Sequence, residues 1–211
     1  SLGTTLGWRL GDSILVDELR AAGASVEPVS VGIGATGGLR RAYPVTDLVE
    51  AVAARRALAG ALERRSPRAI VISTTTAAML ADPRGLPYAV RLDAPACLNR
   101  PGPRNAVLHA LERRSLSRAR LVLPWSEAAR AALPEGAAPA VVLPAPLEGD
   151  PAPRRDRTAI AYTPDVKAKG LDVVCGAWAA AAVQDAELQV FGVEREPALA
   201  HLERTETPVP D

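Results

Sequence analysis

Short apolar runs alternate with helical stretches along nearly the whole chain, and this alternation limits its fold more than any other feature. A helical pattern runs from about Asp12 to Ala22, with Ile14, Leu15, Glu18 and Leu19 at helical spacing and Gly23 ending it. "ASVEPVSV" (24–31) reads as a strand. After a Gly-rich loop, Asp47 to about Arg65 reads as a long helix. In it Leu48, Val52, Ala59 and Leu62 suit a buried stripe, and Asp47 and Glu50 have capping-box spacing. "AIVIS" (69–73) and "PYAVRLD" (87–93) follow as strands. Next come the helix "NAVLHALERRSLSRA" (105–119), the strand "RLVLP" (120–124), the helix "EAARAAL" capped by Ser126, and the strand "PAVVLP" (139–144). The pattern then restarts with the strand "TAIAYT" (158–163), the helix "KGLDVVCGAWAAAAV", the strand "AELQVFG" (186–192) and the helix "EPALAHLER". Such an order predicts an α/β fold, a parallel sheet with helices on both faces.

The restart separates two domains. "EGDPAPRRDR" (148–157) is charged and proline-rich and reads as a linker. It divides an N-terminal domain, residues 1–147, from a second one that opens at Thr158 and has two strands by residue 211. The chain starts among glycines with no strand in front, and its second sheet is short, so the expectation is a fragment lacking its first strand and most of its second domain. A net charge of +1 and 3 % aromatic residues argue against nucleic acid as a partner. No run approaches the ~20 apolar residues of a membrane span. Cys97 and Cys175 fit neither a disulfide framework nor a metal site, and both read as small buried hydrophobes in a reducing cytoplasm. The arginine pairs at 40–41, 55–56, 64–65, 113–114 and 154–155 read as solvated faces. A peripheral contact with the inner face of the membrane is their other reading.

Ligands of such sheets bind at the carboxyl ends of the strands. "GIGATGG" (32–38) has G-x-G-x-x-G spacing, but Pro44 interrupts and no helix follows directly, which argues against a nicotinamide dinucleotide. "GTTLGWRLGD" (3–12) is a second Gly-rich loop opening a helix, able to admit a diphosphate or sugar against its backbone. Arg91 and Asp93 alternate at one strand end and therefore point the same way, either to a polar substrate or to each other at a surface. His109 and His201 read as structural. "DVKAKGLD" (165–172) holds the only two lysines of the chain, Lys167 and Lys169, just before Gly170 and a helix. A helix start carries about half a positive charge, so cations there make sense if an anion occupies it. Gly170 would let that anion approach the backbone. The plain alternative is a solvated turn in which the lysines pair with Asp165 and Asp172.

Residues 162–192, "YTPDVKAKGLDVVCGAWAAAAVQDAELQVFG", resemble the start of the donor domain in retaining GT-B glycosyltransferases, the glycogen-synthase-like group. Lys169, Gly170, Trp178, Leu188 and Gly192 fall in step with its pattern. "LGWRLGDSILVDELRAAGASVEPV" is similar to the family's glycine loop, first helix and strand, aligning Gly7 with a loop glycine. "LERRSLSRARLVLPWSEAARAAL" is similar to a further segment through Glu112, Ala119 and Ser126.

The resemblance implies two Rossmann-like domains facing a cleft, with no catalytic metal and no cofactor beyond a nucleotide-sugar co-substrate. The acceptor, a sugar, lipid or small molecule, would meet Arg91, Asp93 and Ser126. The donor diphosphate would meet Lys167, Lys169, Gly170, Thr163 and Gly7. Lys169 would stabilise the leaving diphosphate, with Asp93 as second candidate catalytic residue. Three departures stand out. Thr163 occupies the place of a family arginine, with Lys167 as its candidate substitute. The Arg91–Asp93 region replaces a histidine. The paired glutamates that hold the donor sugar would lie beyond Asp211, so the fragment alone would transfer nothing. The competing reading is a non-catalytic α/β module binding a sugar or small anion.

Overall fold

Pro124 shows how local chemistry limits the first sheet. In the computed structural model, which describes residues 6–32, 45–144, 158–163, 165–167 and 169–208, β1 (Ile70–Ile72), β2 (Tyr88–Leu92) and β3 (Leu121–Pro124) lie parallel in that order. Residues 139–143 run beside β3: Val122 N donates to Pro139 O, Val141 N to Val122 O and Leu143 N to Pro124 O. Only the Val122–Ala140 bridge is complete. Pro124 has no N–H to complete the next one, so the strand expected over 139–144 is reduced to a ladder fragment. The strand expected over 24–31 is also absent: residues 24–32 carry no regular structure, and Pro28 lacks the donor a ladder needs at its centre.

The chain divides into two compact units, residues 1–148 and 149–211. In the first, β2 is buried because a strand flanks it on each side, and its Tyr88, Val90 and Leu92 join Ile72, Val122, Leu116 and Ala119 in the core. Each large side chain buried this way contributes about 1.5–3 kcal/mol. Helix α5 (Ala106–Arg118) supplies Leu108, Glu112, Ser115 and Leu116, one stripe at helical spacing. Tyr88 Oη donates to Ser115 O at 2.6 Å, tying strand to helix.

Two helices differ from the expected ones. Helix α1 spans Leu6–Ala21, so Gly7 and Gly11 lie inside it rather than in a loop. Helix α2 (Val45–Arg64) buries Asp47, Ala51 and Ala54, while Leu48 and Val52 of the expected stripe stay 38 % and 37 % exposed. Three shorter helices follow the strands: α3 (Thr75–Ala78), α4 (Ala96–Asn99) and α6 (Glu127–Ala131).

In the second unit β4 (Thr158–Tyr162) and β5 (Glu187–Phe191) pair in parallel, with Ala159 opposite Leu188 and Tyr162 opposite Phe191. Helices α7 (Leu171–Ala181) and α8 (Arg195–Arg204) cover one face, where Leu171, Cys175 and Leu202 pack with Leu188 and Val190. Ile160, Tyr162 and Phe191 on the other face are exposed, so among the described residues helices cover only one face of this sheet. No helix of the described residues is long and apolar enough to cross a membrane.

Candidate functional site

Polar residues gather after the carboxyl end of β2, and most are engaged with one another. Arg91 does not point outward with Asp93. Its side chain is 1 % exposed, its Nη1 meets Asp12 Oδ1 at 3.0 Å and donates to Gly11 O at 3.3 Å, and its guanidinium lies 5.0 Å from the Trp125 ring centre. Burial lowers its pKa, and Asp12 offsets only part of that. A Cβ on Gly11 would sit 3.1 Å from Arg91 Nη2, so that glycine gives the guanidinium its room. Arg91 is thus a clamp between β2 and α1, not an acceptor contact. Strand alternation put it on the right element but could not show that a helix covers its face.

Asp93 is exposed, and its Oδ1 accepts from Ala94 N at 2.7 Å. Ser126 is exposed and caps α6, its Oγ accepting from Ala129 N at 3.1 Å. Of the three expected acceptor contacts, only Asp93 and Ser126 face solvent, and Ser126 already serves the helix.

Two interactions beside these were not expected. Arg100 binds Asp47 through Nε–Oδ2 at 2.6 Å and Nη2–Oδ1 at 2.7 Å. Asp47 is therefore a buried ion-pair partner inside α2 rather than a cap. Glu112 is 3 % exposed, and both its oxygens accept from Ala96 N, at 3.0 and 2.9 Å, which holds the start of α4. Burial pushes its carboxyl pKa up, against the pull of the Ala96 amide, the Thr75 hydroxyl, His109 and Arg100. Arg100 O accepts from Asn105 Nδ2 at 3.1 Å and lies 2.9 Å from His109 Nε2, which makes His109 structural. Asn99, Arg100, Pro101 and Asn105 line an open cavity of about 530 Å³. The capping-box spacing hid Asp47's role, and Glu112 stood out in the sequence only through the family resemblance, which did not show its bond to the Ala96 amide.

The second candidate lies wholly in the second unit, in the turn from β4 to α7. Lys167 and Lys169 are both exposed there. Gly170 has φ +63 and ψ +47, a left-handed conformation that favours glycine, so the backbone shape of the turn by itself accounts for this residue. The amides of Lys169, Gly170 and Leu171 donate to Asp165 O, Lys167 O and Val166 O, at 2.9, 3.3 and 2.9 Å. They are engaged in the turn. Thr163 is 2 % exposed, and its Oγ1 has no hydrogen-bond partner among the described residues.

Around α7 the remaining polar groups are structural. His201 is 5 % exposed, with Nε2 at 3.5 Å from Asp172 Oδ1 and Nδ1 at 3.3 Å from Arg204 Nη2. Arginine only donates, so Nδ1 accepts and Nε2 carries the proton toward Asp172. Cys175 is buried as expected, and burial, with Asp172 nearby, raises its thiol pKa. Cys97, by contrast, is exposed, its Sγ donating to Ala132 O at 3.4 Å. Gly7 belongs to α1 and forms no part of a loop. The glycine loop at 33–38 and Pro44 lie outside the described residues, as do the whole linker, 148–157, and residues 209–211. No cluster of His, Cys, Asp or Glu among the described residues could hold a metal ion. No family model, curated protein or solved structure matches the chain.

Proposed function

We propose that the chain belongs to a retaining, nucleotide-sugar-dependent glycosyltransferase of GT-B type, in which the second unit takes the donor's diphosphate. Lys169 is the group that neutralises charge on the departing diphosphate, and Lys167 flanks it. Lysine suits this role as a compact charge on a flexible stem that can follow a moving phosphate. The observation that carries the reading is the placing of the chain's only two lysines, both exposed, in the turn that opens α7. Asp93 and Ser126 remain as acceptor-side candidates, with the acceptor a sugar, a lipid or a small molecule. The co-substrate replaces any bound cofactor, and the cytoplasm, up to the inner face of the membrane, is the proposed location.

Titration calorimetry of the chain with uridine and guanosine diphosphate tests this. Binding of one of them, weakened at least tenfold by Lys169→Ala, is the expected result. Equal affinity in that variant rules the role out.

One observation favours a second reading, a non-catalytic module that binds an anion or a free sugar. The amides of residues 169–171 are already engaged in the turn, and a threonine stands where the family has an arginine. Binding of free sugars with no response to either nucleotide would decide for it.

A further inference from the structure

We infer that the exposed face of α5 is an interaction surface whose partner is the acidic face of α8 on a second copy of this chain. The small net charge of +1 hides a segregation. Residues 1–147 carry 18 arginines against 12 acids (+6), and residues 158–211 carry 4 cations against 9 acids (−5), with three of each sign in the linker between. Each excess reaches the surface of a helix. The only acid of α5, Glu112, is turned inward onto the Ala96 amide, so the outer face of that helix has none. That face and its flanks carry Arg104, Arg113, Arg114, Arg118 and Arg120, all exposed and none in an ion pair among the described residues. On α8, Glu196 and Glu203 are seven residues apart and so share a face. Both are exposed and have no ion pair among the described residues.

The two faces match in more than sign. Leu199 and Ala200 lie between the two glutamates at helical spacing, and Val107 and Ala110 precede Arg114 and Arg118 in a like stripe on α5, all four of them exposed. Arg195 and Arg204 lie to either side of the glutamate stripe, and Arg204 is held by His201. Arg114 and Arg118 are four residues apart, a like-charge spacing that disfavours a helix and that an anionic partner relieves. A guanidinium offers a rigid fork that fits a carboxylate. The apolar stripe of α5, with Leu108 and Leu116, is spent on the core, so this helix has no apolar face to lay in a bilayer. Carboxylates on a protein surface are therefore the better fit, and α8 of another copy displays them. Exposed pairs of this kind are individually weak and screened by salt, so the contact is reversible and salt-sensitive. It uses neither of the lysines of the diphosphate reading, so either proposal can fail alone.

Sedimentation of the full chain over a range of concentrations tests this. Association should weaken about tenfold or more between about 0.01 M and about 1 M salt, as the screening length falls from about 30 Å to about 3 Å. Two charge-reversed variants, Arg114→Glu with Arg118→Glu and Glu196→Arg with Glu203→Arg, should each stay monomeric alone and associate when mixed. Each supplies the sign that the other has lost, and recovery also shows that both are folded. Arg114→Gln with Arg118→Gln, milder for the helix, should weaken the parental contact several-fold. A parent that is monomeric at every concentration overturns the inference, whether or not phosphatidylserine vesicles take up the basic face. Association unmoved by salt, or by the glutamine variant, overturns it too. So does a mixture that stays monomeric although both reversed variants melt like the parent.

Discussion

Each unit has a turn leading from a parallel strand into a helix, and the two turns differ in whether their charged side chains are paired. After β2, Arg91, Arg100, Glu112 and Asn105 are engaged with Asp12, Asp47, the Ala96 amide and backbone carbonyls. After β4, the lysines stand in solvent and a buried hydroxyl has no partner among the described residues. Both turns sit at the carboxyl edge of a parallel sheet, where binding sites form. Position therefore does not separate architecture from recognition. Whether the charged side chains are paired inside the protein does: Arg91 and Arg100 are paired with carboxylates, though Arg91 Nε has no partner among the described residues, and Lys167 and Lys169 stand in solvent. By that criterion the first turn is mainly a brace, and the second is the better candidate for a ligand.

The sharpest way to break this comparison is Arg91→Ala. The change removes a buried guanidinium and leaves Asp12 and the Gly11 carbonyl facing an empty space. Removing one partner of a buried pair costs about 3–5 kcal/mol. Asp12 is 16 % exposed and can rehydrate in part, so the loss should fall at the lower end of that range. Urea unfolding measures it. A change below about 1 kcal/mol, the size of a surface ion pair, would mean that Arg91 is not a brace.

Glu112→Gln probes the same brace through pH. Burial holds the Glu112 carboxyl above its ordinary pKa of 4.5 in the folded chain. The folded state therefore binds the proton more tightly than the unfolded one. The group's stabilising contribution is complete below pH 4.5 and is lost as pH rises through the folded value. Glutamine has no such proton and still offers an oxygen to Ala96 N. The variant should gain on the parent as pH rises from 4.5 to 7.5, measured by denaturation at several pH values. A gap that stays constant over that interval would show that Glu112 ionises without cost where it lies.

Much of this architecture was legible in the sequence, because periodicity is a local property. The strands at 70–72, 88–92, 121–124, 158–162 and 187–191 all lie within the apolar runs that announce them. The errors came where one atom or one distant partner decides. Pro124 and Pro28 lack the N–H that a ladder requires, and the apolar pattern around them does not register it. Gly7 and Gly11 suggested a loop, yet the helix contains them, and Gly11 earns its place only through Arg91, eighty positions away. Asp47 had the spacing of a cap and was instead matched to Arg100, fifty-three positions on. At the candidate site the lysines and Gly170 were visible from residue type and spacing. The engaged amides and the unsatisfied Thr163 were not, because both depend on how the turn closes.

Ala182→Gly gives a smaller effect, in the second unit. Ala182 ends α7 with φ +44 and ψ +43, a left-handed conformation that strains a residue bearing a Cβ. Glycine relieves that strain but is also freer in the unfolded chain, so the net gain should be about 0.5–1 kcal/mol. A loss of stability would show that the Ala182 side chain contributes packing there.

Lys169→Ala should have the smallest effect on folding, and its smallness is what matters. The side chain is exposed, and no ion pair or side-chain hydrogen bond holds it among the described residues. Surface changes of this kind stay within about 0.5 kcal/mol. The two cations thus make a matched pair of tests: arginine 91 should matter to the fold, lysine 169 to a ligand. If Lys169→Ala unfolds as readily as Arg91→Ala, the lysine is itself a brace, and the contrast between the two turns disappears. If it folds like the parent, any affinity it loses for a diphosphate belongs to recognition rather than to a damaged structure.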